Sequence, residues 1–163
     1  MLFRSIGVKF AAALGAEVTV LSPSSAKEKD AKSMGAAHFV LTKEADWQKP
    51  LKKKFDLVLN TVSADLDLEP YLQLLDTDAT LVVIGLPGKP YAVNAGSLLD
   101  GRRSIAGSMI GGMPELAEMM EFCGKHGIVS DVEVIKADYI NKAYERTVAS
   151  DVKYRFVIDA SSF

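Results

Sequence analysis

Two runs dictate what this chain can fold into: Phe55-Asp-Leu-Val-Leu-Asn60 and Ala79-Thr-Leu-Val-Val-Ile84, each apolar over most of its length and bounded by polar or turn-forming residues. A strand with one wet face alternates apolar and polar side chains, whereas a strand buried on both faces of a parallel sheet reads as a continuous apolar run. Both runs therefore predict central parallel strands buried on both faces. The second leads into Gly85-Leu-Pro-Gly88, a turn at a strand's carboxyl end, and ligands of doubly wound sheets lie against such ends.

The surrounding pattern alternates helix and strand. Ile6 to Leu14 is apolar nearly all round and stops at Gly15, as a buried helix packed on a sheet would. Val18, Val20 and Leu21 form a short strand, and a polar helix starting at Ser24 or Ser25 runs to Met34 and Gly35. Strands are expected at Ala37 to Leu41 and Arg103 to Ser108, with a helix over Asp65 to Leu75. Pro114 suits the first turn of a helix over Glu115 to His126, and Gly127 suits its end. Val132 to Ile135, Tyr139 to Ala149 and Tyr154 to Ile158 read as strand, helix and strand. Such alternation, with no repeat and no low-complexity linker, predicts an α/β, Rossmann-type doubly wound parallel sheet with right-handed crossovers. A boundary is placed near Val129, dividing residues 1–128 from 129–163.

At 163 residues, 48% of them hydrophobic, the chain can bury one ordinary core. Its formal net charge of −2 gives no support to a nucleic-acid surface, and Lys52-Lys-Lys54 reads as a solvated loop. A single cysteine, Cys123, excludes an internal disulfide and any multi-cysteine zinc cage, and a reducing, cytoplasmic setting is expected. His38 and His126 have no second histidine or cysteine at ligand spacing. Cys123 and the methionines Met109, Met113, Met119 and Met120 read as packing residues; exposed, these methionines would mark a partner surface. No apolar run approaches membrane-spanning length, so no membrane contact is expected.

Chemistry enters at Glu17-Val-Thr-Val-Leu-Ser-Pro-Ser-Ser-Ala-Lys27, an apolar strand that ends in serines and a lysine. Hydroxyl donors and an ammonium suit a ribose 2′-phosphate, whereas an aspartate at this tip would repel it and pair with a free 2′-hydroxyl. The pattern points to NADP(H), although a plain turn and helix cap would use the same serines. The sixteen residues before Glu17 contain no G-x-G-x-x-G and no apolar strand ahead of a glycine turn. A dinucleotide-binding domain without its first strand and glycine-rich loop is therefore expected. Two other enzyme classes fail on spacing. None of the five tyrosines has a lysine four residues on, as short-chain reductases require, and a methyltransferase would want the same missing glycine-rich turn.

Several motifs together carry a family likeness. Gly7-Val-Lys-Phe-Ala-Ala-Ala-Leu-Gly-Ala-Glu-Val-Thr-Val20, Leu68-Glu-Pro-Tyr-Leu72, Ile105-Ala-Gly-Ser-Met-Ile-Gly-Gly112, Glu121-Phe-Cys123 and Asp151-Val-Lys-Tyr-Arg-Phe-Val-Ile158 resemble the zinc-dependent medium-chain alcohol dehydrogenases. The branch they resemble most is the cinnamyl-alcohol-dehydrogenase-like one, with its bacterial aldehyde reductases. The likeness covers the cofactor-binding half of such an enzyme. It implies that Ser22, Ser24 and Lys27 contact the 2′-phosphate of NADP(H) and that Thr61 and Val62 line the cofactor cleft. It also implies that Gly85 and Leu86 approach the nicotinamide ribose, and that the main chain of Ser108, Met109 and Ile110 meets the nicotinamide carboxamide. The Arg103 to Ser108 region would lie at a homodimer seam. The family's zinc ligands and proton relay have no counterpart here, so no zinc site is carried over. The family's glycine-rich loop would end just before Gly7, where this chain reads Leu2-Phe-Arg-Ser-Ile6, and Arg4 and Ser5 are poor substitutes for backbone amides at a helix N-terminus. The expected function is the cofactor-binding portion of an NADP(H)-dependent alcohol dehydrogenase or aldehyde reductase, inactive by itself. The alternative is a non-catalytic truncated Rossmann domain, with weak or no cofactor binding, that self-associates.

Overall fold

A computed structural model describes residues 3–149 and 151–163. Seven parallel-paired strands and six helices follow one another along the described residues. Helix α1 (Phe3–Ala13) precedes β1 (Thr19–Ser22), and α2 (Glu28–Ser33) leads to β2 (His38–Leu41). Next come β3 (Phe55–Asn60), α3 (Glu69–Leu72), β4 (Leu75–Val83), α4 (Ala95–Leu99) and β5 (Ser104–Gly107). Helix α5 (Met113–His126), β6 (Glu133–Ile135), α6 (Ile140–Val148) and β7 (Phe156–Ile158) complete the order. Strand β1 pairs with β2, β3 with β4 and β4 with β5, and β6 with β7, all parallel. Among the described residues no strand pairs with the other edge of β1 or of β3.

The core explains why β4 is central. Ala79 and Leu81 stand two apart and so share a face of β4. They pack with Leu75 and with Leu68 and Leu72, the leucines flanking and closing α3. Leu68, Leu72, Leu75 and Leu81 are at most 1% exposed, and Val58, Leu66, Tyr71, Val83, Tyr91 and Leu98 pack around them. Burying one such leucine contributes roughly 1.5–3 kcal/mol, so this cluster fixes α3 and α4 on one face of the sheet.

Several expectations need correction. The β3 run has the predicted bounds, but it is not buried on both faces: Leu57 is 54% and Leu59 46% exposed. The leucine cluster covers only the face that Val58 joins, and β3 has a strand partner on one side only. The helix expected over 65–75 contracts to four residues, because β4 begins at Leu75, five residues before the regular part of its ladder. The register shifts between Phe55 and Leu57, across the stretch in which Asp78 takes a φ of 60°. Arg102 grips the Asp78 carboxylate through both Nε and a terminal nitrogen, and the Asp78 amide donates to Gly101 O over 2.7 Å. Helix α1 is half-buried rather than enclosed, and Leu14 at its end is 70% exposed. The methionines are not core: Met109, Met113 and Met120 are 87%, 76% and 61% exposed, on or just before α5. Only Phe122 and Cys123 of that helix are half-buried, with Phe122 stacked between Phe10 and His126.

The segment after residue 128 is tied back by charge. Lys9 Nζ donates to Val129 O and to Asp131, and Lys153 Nζ reaches Asp30 of α2. Within it, Arg146 of α6 lies over the Phe156 ring and pairs with Glu133 and Asp151. The Lys153 amide donates to Glu133, and this bond, with Arg146, holds the Glu133 carboxyl below its usual range. A depressed carboxyl stabilises the fold above its unfolded pKa and loses that contribution as pH falls through the folded value. The protection of the β6 and β7 amides, taken relative to their intrinsic exchange rate at each pH, should therefore fall as the pH drops below about 4, and Glu133→Gln should flatten that dependence.

Candidate functional site

Within each parallel sheet the carboxyl ends of the strands lie on one side, and the residues expected to meet a ligand end or follow the strands there. Ser22 ends β1; Thr61 and Val62 follow β3; Gly85 and Leu86 follow β4; Ser108, Met109 and Ile110 follow β5. Ser22, Ser24 and Lys27 belong to the β1–β2 unit and the remainder to the β3–β4–β5 sheet.

The strand ends of the larger sheet are stitched together by backbone. Asn60 O accepts from Ile84 N at 2.8 Å and from Gly85 N at 3.0 Å, and Ser108 N donates to Val83 O at 3.1 Å. A Cβ on Gly85 would lie 2.2 Å from Val62 O and 2.4 Å from Val62 C. Only glycine lets the β3 and β4 exits approach this closely. Two side chains complete the arrangement. The Asn60 carboxamide accepts from Val62 N at 3.1 Å and donates to the Tyr91 hydroxyl at 3.0 Å. Tyr91 also borders an open cavity of about 370 Å³, in whose lining Lys89 pairs with Asp65. Neither role was legible beforehand: Asn60 figured only as a strand's last residue, and its one signal is a polar side chain closing an apolar run.

At the β1 exit, Ser22 is 2% exposed and its Oγ accepts from Ser24 N at 3.2 Å. Its hydroxyl shapes the turn from inside and is covered. Ser24 is the residue preceding a short 3₁₀ turn, Ser25–Lys27, and its side chain makes no capping bond. The cap reading of these serines thus fails for Ser24, and Lys27 lies half-buried at the turn's end. No carboxylate occurs between Thr19 and Lys27. Thr61 and Val62 are half-buried and Gly85 is buried, while Leu86, Met109 and Ile110 are 81%, 87% and 95% exposed. Arg4 lies where no side chain is described. Among the described residues no group of three or more His, Cys, Asp or Glu could hold a metal ion, so these residues do not fit a catalytic zinc and no metal step is assigned to them.

Residues 5–125 match the zinc-binding dehydrogenase family, and this chain belongs to it. The NADP-dependent alcohol dehydrogenase C of Mycobacterium bovis is 54% identical over 157 residues, covering 96% of this chain and 45% of that protein. Among solved structures, a cinnamyl alcohol dehydrogenase of Sorghum bicolor superposes with a TM-score of 0.90 at 37% identity, over 96% of this chain and 45% of the other. A cinnamyl alcohol dehydrogenase of Helicobacter pylori complexed with NADP(H) gives 0.82 at 34% identity, over 98% and 46%. The chain spans about 45% of the length of these relatives. The Rossmann-type α/β class is thereby established. No helix of the described residues is long and apolar enough to cross a membrane.

Gly85→Ala should force the β3 and β4 exits apart and lower stability by about 1–3 kcal/mol, the usual range for overpacking. Urea unfolding of the two proteins side by side measures this.

Proposed function

We propose that this chain is the cofactor-binding part of an NADP(H)-dependent, zinc-type alcohol dehydrogenase or aldehyde reductase. The observation that carries this reading is the β1 exit, which offers the Ser24 hydroxyl and Lys27 and no carboxylate. A ribose 2′-phosphate is a dianion that ammonium and hydroxyl donors stabilise, while a carboxylate would favour the unphosphorylated ribose. The NADP-dependence in the Mycobacterium bovis relative's name and the NADP(H) in the Helicobacter pylori structure support the same choice.

Each residue then has a task. Ser22 holds the turn, and Ser22, Ser24 and Lys27 take the 2′-phosphate. Thr61, Val62, Gly85 and Leu86 border the cofactor along the β3 and β4 exits, and the Ser108, Met109 and Ile110 backbone meets the carboxamide. When bound, NADPH supplies the hydride that reduces a carbonyl carbon. The residues of this chain bind and orient that donor. Polarising the acceptor is a separate task, and none of the residues named here is assigned it. A cytoplasmic setting and a boundary after residue 128 belong to the same reading; among the described residues β6 and β7 pair with each other and with no other strand.

Calorimetric titration tests it. NADPH should bind at least about tenfold more tightly than NADH, and Lys27→Ala should remove most of that preference. Equal affinity for the two, or no heat with either, overturns the reading.

The second reading, self-association, has its own observation: all four residues of β5 are exposed on an edge strand, as are Met109 and Ile110 beyond it. Unpaired strand edges recruit other chains. A homodimer or larger assembly is expected in light scattering, and a monodisperse monomer removes the idea.

A further inference from the structure

We propose that Tyr91 and Asn60 act as a positioning pair, in which the tyrosine hydroxyl fixes the asparagine carboxamide and the carboxamide fixes the Thr61–Val62 segment against which the cofactor is seated. The proposal rests on the cofactor-binding reading above, and neither residue touches the reacting atoms in it.

The chemistry of the two hydrogen bonds decides the orientation of the amide. A backbone N–H can only donate, so the Asn60 atom facing Val62 N is the carbonyl oxygen, 3.1 Å away. The amino group must then face Tyr91, 3.0 Å away, and the phenol oxygen accepts. With Asn60 only 6% exposed, water has little access to complete either bond. The Tyr91 ring packs against the Leu68–Leu81 cluster, so the accepting oxygen is mounted on the core rather than on a loop tip. Asn60 is joined to three segments at once. Its side chain holds Val62 and Tyr91, and its backbone oxygen holds Ile84 and Gly85.

Without the Tyr91 oxygen the Val62 N–H still dictates which amide atom faces it, but the Asn60 amino group loses its partner and the carboxamide is anchored at one end instead of two, so the Val62 peptide is held less firmly. Val62 lies close against Gly85, so a small swing of the carboxamide is felt where the β3 and β4 exits meet. Movement there displaces Thr61 and Val62 relative to the β4 exit, which alters the seat without disturbing the phosphate end at Ser24 and Lys27.

The test uses the whole chain with NADPH as the probe. Tyr91→Phe keeps the ring and removes one oxygen; it should weaken NADPH about five- to tenfold while leaving the NADPH-to-NADH preference unchanged. Asn60→Ala should weaken NADPH at least as much, and the double variant should be no weaker than Asn60→Ala alone, because Tyr91 acts through Asn60. Nitrogen-15 spectra add a readout that needs no cofactor: the Val62 amide should shift and exchange faster in Tyr91→Phe, although its own acceptor is intact. A purely structural tyrosine would lower the thermal midpoint and leave the affinity of the folded protein alone. Tyr91→Phe binding like the parent with an unmoved Val62 amide overturns the proposal, as does a double variant whose loss is the product of the two single losses. Should Asn60→Ala fail to fold, Tyr91→Phe carries the decision. A parent chain that gives no NADPH signal overturns the cofactor reading and the seating part of this proposal, and the Val62 amide then decides the positioning pair by itself.

Discussion

The parallel ladder between β3 and β4, seated on the leucines of α3, is the constraint on which the candidate site depends. Leu57 to Asn60 run in register with Thr80 to Val83, and Leu81 to Val83 carry β5 in turn. The exits of all three strands are therefore fixed by one hydrogen-bonded array rather than by three independent loops. The apolar cluster beneath it is closed by Leu68 and Leu72, spaced four apart so that both face the sheet across a short helix. Positions of Thr61, Gly85 and Ser108 follow from that array with no freedom left except in side chains and in the two peptides beyond Asn60.

What could be read from the sequence was whatever depends on neighbours along the chain. The bounds of β3, the proline in the first turn of α5 and the left-handed Gly127 after it all rest on local backbone preferences, and the structure has each of them. Quantities set by distant residues were not legible. Apolar composition promised burial of Leu57 and Leu59, but burial needs a layer opposite, and none is supplied among the described residues. Helix α4 escaped notice because Ala95-Gly96-Ser97 is a weak helical sequence, and it forms under an Asn94 cap and against the core at Leu98. Asn60 and Tyr91 are thirty-one residues apart, so their bond had no signature in spacing. At the β1 exit the residue types could be read, but not that Ser22 turns inward, because that depends on how the turn closes on Ser24.

The two sheets and the final segment are held to one another in different ways. Hydrophobic contact dominates around β4, while Lys9 with Asp131 and Lys153 with Asp30 join the end of the chain to α1 and α2. Surface ion pairs contribute about 0–1 kcal/mol each and weaken with salt. The segment after residue 128 is thus fixed to the rest by interactions that ionic strength can loosen, whereas the strand exits are indifferent to it.

The methionines along and before α5 give the surface a chemical memory. Met109, Met113 and Met120 hold their thioethers in solvent, and Ile110 and Leu116 of the same stretch of chain are exposed as well. An oxidant meets these sulfurs before any group of the core, and each sulfoxide formed turns a soft apolar contact into a polar, chiral one. Oxidation there would make the surface around α5 more polar while leaving the leucine core beneath β4 untouched.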